Sequence, residues 1–88
     1  MEIIYSPEAI TDIAYWKKSG NKKIMSRISA LLNSIEQNPY SGIGKPEALK
    51  HDLSGCWSRR INKEHRIVYR IRSNDKVEIS SMRFHYNE

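Results

Sequence analysis

The spacing of apolar residues changes several times along this chain, and each change predicts a different kind of element. Residues 2–6, Glu-Ile-Ile-Tyr-Ser, are rich in β-branched and aromatic side chains, which predicts a first strand. From Ser6 to Gly20 the residues Ala9, Ile10, Ile13 and Ala14 recur at helical spacing, with Trp16 close to their stripe. Ser6 suits an N-cap, Pro7 the first helical position, and Glu8 the positive end of the helix dipole. Lys17 and Lys18 suit the last turn, and Gly20 ends it. A second helix is predicted from Asn21 to Pro39, because Ile24, Ile28, Leu31, Leu32 and Ile35 fall on one face. Only a few residues separate the two helices, so they should form an antiparallel hairpin.

Periodicity then lapses over residues 40–55, where Gly42, Gly44 and Pro46 predict a long loop with a turn of helix through residues 46–51. Loops of that length in a small domain are often functional. Three strands are predicted after it, over residues 56–62, 65–72 and 76–86, with a tight turn around Lys63 and Glu64. Strand parity puts Ile67, Tyr69 and Ile71 on one face and Arg66, Val68, Arg70 and Arg72 on the other. On the preceding strand Trp57 and Ile61 oppose Arg60. The fold expected is therefore α+β: an N-terminal strand and a helical hairpin packed on a twisted, mainly antiparallel sheet. The helices cover the apolar face and leave the arginines on the other. The 88 residues form one domain, 1–88, with a modest core, since a chain of this size buries only about 60–65% of its surface.

Charge sharpens this picture. The net charge is +5, and between Lys45 and Arg72 there are eight basic residues against three acids, so that stretch carries the whole excess. Clustering of this kind suits a polyanion partner as well as a plain solvated surface. No apolar run approaches the ~18 residues of a membrane span. The start bears Glu2 where a signal peptide is basic, so a cytoplasmic protein with no membrane partner is expected. Cys56 is the only cysteine, which excludes an internal disulfide and a thiolate zinc cluster; a small buried thiol is the simpler reading.

A basic sheet face offers arginines to phosphates and aromatic rings to unpaired bases. The loop adds Glu47, Lys50 and His51, the strands Arg60 and Arg66, and the tail Arg83, His85 and Tyr86. RNA cleavage without a metal needs a base for the ribose 2′-OH, an acid for the leaving 5′-oxygen and cations for the phosphorane. All these residue types are present, yet each has a plainer role: Glu47 as a solvated acid or cap, His51 and His65 as structural or surface groups. Arg59 would snorkel or pair with Asp52, and Tyr69 would be core. The residue pattern alone favours nucleic-acid binding over ribonuclease activity.

Particular motifs go further. The stretch "GKPEALKHDLSGCWSRRINKEHRIVYRI", the tail "RFHY" and the opening strand followed by "SPEA" and "YW" resemble the YoeB (Txe) toxins of the RelE/ParE superfamily, over nearly the whole chain. The resemblance implies a RelE-like, microbial-RNase-like fold. It implies a type II toxin that cuts mRNA in the ribosomal A site without a metal or other cofactor. The implied partners are mRNA, the ribosome with its ribosomal RNA, and a YefM/Axe-like, acidic antitoxin. Operator DNA would be reached only through the antitoxin complex, for autorepression, and a homodimer stays open. On matching positions, Glu47 is the implied general base, His85 the general acid and Arg66 the phosphate-stabilising cation, with Arg60 and Lys50 in support. Tyr86 would stack on or orient the nucleotide, while His51, Arg59 and Arg83 would contact RNA or ribosome. Cys56 stands where the family often has a bulkier aromatic residue, Phe84 replaces a tyrosine, and Asn87 and Glu88 extend the usual ending. The competing readings are a non-catalytic ribosome binder and a ParE-like gyrase inhibitor.

Overall fold

The computed structural model describes residues 1–84. Strand β1 (Glu2–Tyr5) leads into helix α1 (Pro7–Ser19) and helix α2 (Lys22–Gln37). After a loop come β2 (Glu47–Ala48), a 3-10 turn (His51–Leu53), β3 (Cys56–Arg60), β4 (Arg66–Ser73) and β5 (Lys76–Ser81). The helix ends follow from their caps. Ser6 Oγ accepts from the Ala9 N–H at 3.1 Å, and Gly20, at φ 72°, closes α1 by donating to the Lys17 carbonyl. Asn21 Oδ1 accepts from the Ile24 N–H at 3.1 Å, and with Gly20 it forms the two-residue link between the helices.

The five strands form one mixed sheet in the order β1-β5-β4-β3-β2, with β1 parallel to β5 and the other neighbours antiparallel. This is the expected α+β arrangement, two helices on a mainly antiparallel sheet. Leu31, Ile35, Ile67, Tyr69, Val77, Ile79 and Met82 are fully buried between the layers. Truncating one of the large aliphatic members to alanine would cost about 2–5 kcal/mol.

Two details depart from expectation. Ile10, assigned to the α1 stripe, is 58% exposed, and the inward positions are Ala9, Asp12 and Trp16. Asp12 belongs inside because its Oδ2 accepts from the buried Met82 N–H at 2.8 Å. The expected helical turn over 46–51 is instead an edge strand. Glu47 pairs with Ser58 and Ala48 with Trp57, and the Leu49 N–H donates to the Cys56 carbonyl at 2.9 Å. Leu49 then buries its side chain against Cys56 and Val68, a gain no isolated helical turn would provide. Beyond β2 the backbone stays extended through Lys50, and His51, with a φ of 56°, breaks that run and starts the 3-10 turn.

Candidate functional site

The alternation of side chains across the sheet assembles the site. Arg60 pairs with Arg66, Ser58 with both Glu47 and Val68, and Cys56 with Arg70. Directly opposed residues share a face, so Glu47, Arg60, Arg66 and Arg70 all stand on the side away from the helices. At strand spacings of about 4.8 Å and residue spacings of about 3.4 Å, the Cα atoms of Glu47 and Arg66 lie about 12 Å apart, within joint reach of one phosphodiester.

Arg66 is buried and aimed by its surroundings. Its Nη1 donates to the Asn62 carbonyl at 2.6 Å and to the His65 carbonyl at 3.1 Å. The β3–β4 turn is itself tied by Asn62, whose Oδ1 accepts from the Glu64 and His65 N–H groups, each at 2.8 Å. Arg60 is exposed, and its backbone carbonyl accepts from Arg27 at 3.2 Å. Lys50 and His51 are both exposed at the start of the 3-10 turn, and Glu47 is exposed on β2.

The chain leaving β5 comes back to this same place. The Arg66 N–H donates to the Phe84 carbonyl at 3.1 Å, so the last described residue sits beside the Arg66 backbone. His85 and Tyr86, the expected acid and stacking ring, lie outside the described residues. Arg83 is half-buried, its guanidinium 3.4 Å from the Tyr15 ring centroid and 4.4 Å from that of Phe84. Such contacts between cation and ring face hold a guanidinium in a fixed plane.

Arg59 corrects an expectation. It was expected to touch RNA or the ribosome, or to reach Asp52, but its side chain is completely buried on the helix side of β3. Its Nε donates to Tyr69 Oη at 2.9 Å, Nη1 to Ser34 Oγ and the Ile43 carbonyl, and Nη2 to the Asn38 and Ser41 carbonyls. All five partners are neutral oxygens, so Arg59 is a buried cation solvated by the loop it holds. Tyr69, which donates to the Pro39 carbonyl at 2.6 Å, completes the anchor. Burial pushes the Tyr69 phenol above its usual pKa, against the opposing pull of the Arg59 hydrogen bond and charge.

Along β4 from Arg66 a groove of about 740 Å³ opens. Leu53, Cys56, Val68 and Phe84 line it with apolar surface, Arg70, Arg72 and Arg83 with positive charge, and Glu8 and Glu78 with acids. Glu78 is engaged by Arg72 in an ion pair. Arg70 Nη2 lies 3.4 Å from Cys56 Sγ, and that contact raises its already high pKa, so it stays cationic. Strand parity puts Arg70 and Arg72 on this face, and the groove shows the surface they share with the apolar strip. Among the described residues no cluster of His, Cys, Asp and Glu is able to hold a metal ion, and no helix is long and apolar enough to cross a membrane.

Comparison with known proteins agrees with this fold. Residues 5–86 match the family model for the YoeB-like toxin of bacterial type II toxin–antitoxin systems. The chain is 44% identical to toxin YoeB of Escherichia coli K12 over 86 residues, which span 98% of this chain and all of that protein. A YoeB/ParE toxin from Agrobacterium tumefaciens superposes with a TM-score of 0.91 at 36% identity, over 98% of this chain and all of that one. The YoeB of Staphylococcus aureus, solved in a YoeB–YefM complex and as a YoeB dimer, gives 0.85 at 45% and 44% identity, over 98% of both chains.

Proposed function

Since the chain belongs to the YoeB-like toxin family of bacterial type II toxin–antitoxin systems, we propose that it is a ribosome-dependent, metal-independent endoribonuclease that cuts mRNA in the A site and stops translation. The observation that carries this reading is the convergence of Glu47, Arg60 and Arg66 on one open sheet face, where the Arg66 N–H also holds the carbonyl of Phe84, the last described residue. Glu47 takes the proton from the ribose 2′-OH, and the 2′-oxygen attacks the phosphorus. Arg66, supported by Arg60 and Lys50, stabilises the charge that builds on the phosphorane. His85 protonates the 5′-oxygen as its bond to phosphorus breaks, and Tyr86 stacks on or orients the nucleotide. His51 and Arg83 contact RNA or ribosome; Arg59, being buried, has no part in this.

Dependence on the ribosome follows from the small size of the basic face. A few phosphate contacts bind free RNA weakly and with steep salt dependence, whereas docking on ribosomal RNA supplies the positioning that the site lacks. The S. aureus YoeB–YefM complex supports a YefM-like antitoxin as the partner of this chain, and we infer that this antitoxin is acidic, neutralises the chain and with it represses their operon. The YoeB dimer supports pairing with a second copy. A gyrase inhibitor or a passive ribosome binder would have no use for the Glu47, Arg66 and His85 set.

The test is mRNA cleavage on programmed ribosomes. Glu47→Gln and His85→Gln should each slow it by ~10²–10⁴-fold, the usual contribution of a positioned acid or base. Cleavage by both variants at the rate of the unaltered chain would overturn the assignment.

A further inference from the structure

Four hydrogen bonds grip the three residues between β5 and the end of the described chain. At Met82, the N–H donates to Asp12 Oδ2 and the carbonyl accepts from Trp16 Nε1, each at 2.8 Å and both buried. At Phe84, the N–H donates to His65 Nδ1 at 2.8 Å and the carbonyl accepts from the Arg66 N–H at 3.1 Å. The left-handed φ of Phe84, 65°, turns the chain at this point, a conformation that costs a non-glycine residue energy and persists only where its surroundings hold it. The His65 ring is part of that support, edge-on to Trp16 at 4.8 Å and tilted against Phe84 at 5.7 Å between centroids. Because Nδ1 accepts, the ring's proton is on Nε2, which faces Glu64 at 4.0 Å.

We propose that Asp12, Trp16 and His65 are positioning residues that fix the chain on both sides of Arg83 and so set where His85 enters the site. This rests on the reading of His85 as the general acid. The Phe84 N–H and carbonyl belong to the peptide groups on either side of its Cα, so holding both restricts the direction in which the chain leaves the described residues. Placement errors of about 1 Å at a reacting group can cost ~10²-fold in rate. Of the three, His65 is the most informative, because its bond to the Phe84 N–H is solvent-exposed and can be removed without leaving a buried orphan.

Two substitutions separate acceptor from ring. His65→Phe keeps a ring to pack on Trp16 and Phe84 but removes the acceptor. His65→Asn loses the ring but places an amide oxygen near the Nδ1 position. Amide hydrogen exchange is read on the full chain without RNA, and kcat and KM are read on programmed ribosomes. With His65→Phe, the Phe84 amide should exchange at least tenfold faster, and kcat should fall at least tenfold with KM and the thermal midpoint little changed. His65→Asn should keep protection and kcat within about threefold. The proposal is overturned if the Phe84 amide exchanges in His65→Phe as in the unaltered chain, or if kcat falls equally in both variants. An unaltered chain that cuts no mRNA would overturn the ribonuclease reading, while the exchange measurement would still decide whether the clamp exists.

Discussion

Arg59 and Arg60 are neighbours in sequence with opposite fates, and strand parity decides them. Arg60 faces the open side, whereas Arg59 is enclosed by the 38–43 loop and makes all its contacts with neutral oxygens. Arg59→Ala should therefore destabilise the fold by about 3–5 kcal/mol in denaturant unfolding, because three loop carbonyls and a phenol lose their donor in the interior. Arg60→Ala should leave the denaturation midpoint nearly unchanged and lower cleavage instead. Tyr69 extends the argument to pH. Its phenol is raised in the folded state, so below about pH 10 the stabilisation is fully present. As pH rises above about 10 the unfolded chain ionises first, and stability falls until the folded-state pKa is passed. Unfolding free energies measured between pH 9 and 11 should decline less steeply for Tyr69→Phe than for the unaltered chain. The sequence showed the apolar and basic parities plainly. It could not show Arg59, because a cation inside a core is disfavoured until a loop with convergent carbonyls surrounds it, and that convergence is tertiary.

The elements were legible where local signals agreed. Both helices begin at the expected caps, Ser6 and Asn21, and the α2 stripe buries Ile28, Leu31 and Ile35 as its spacing required. The segment after α2 was not legible, because its shape is dictated by partners distant in sequence. Its edge strand exists only by pairing with β3, and Gly44 shows how tightly the approach is set. The Gly44 carbonyl accepts from the Arg60 N–H at 2.7 Å, and a Cβ there would lie 2.6 Å from Leu31 Cδ2. With φ at 84°, Gly44→Ala combines strain with a clash and should cost about 1–3 kcal/mol by chemical denaturation. A loss of that size would loosen the loop that delivers Glu47, so cleavage should fall as well. The tail shows the same limit. The strand expected from residue 76 to 86 stops at Ser81, and the next residue, Met82, is instead tied to α1 by two bonds that reach back to Asp12 and Trp16, near the start of the chain.

The whole molecule divides its labour between the two sides of one sheet. The helices and the buried side chains supply stability on one side, and almost nothing on the other side is needed for the core except the small cluster of Leu49, Cys56 and Val68. That separation lets the open face collect arginines without burying charge, apart from the aimed Arg66. It also predicts how the molecule meets RNA. Binding to a short single-stranded RNA without ribosomes should weaken steeply with added salt, in proportion to the few phosphates that Arg60, Arg66, Arg70 and Lys50 can neutralise. Catalysis on ribosomes should depend on salt less steeply than this free binding. The most direct measurement is to express the chain in growing bacterial cells and map the 5′ ends of a defined mRNA by primer extension. Cleavage by this chain should give new ends confined to the translated frame, absent with Glu47→Gln or His85→Gln. Arrested translation with the mRNA intact would contradict it.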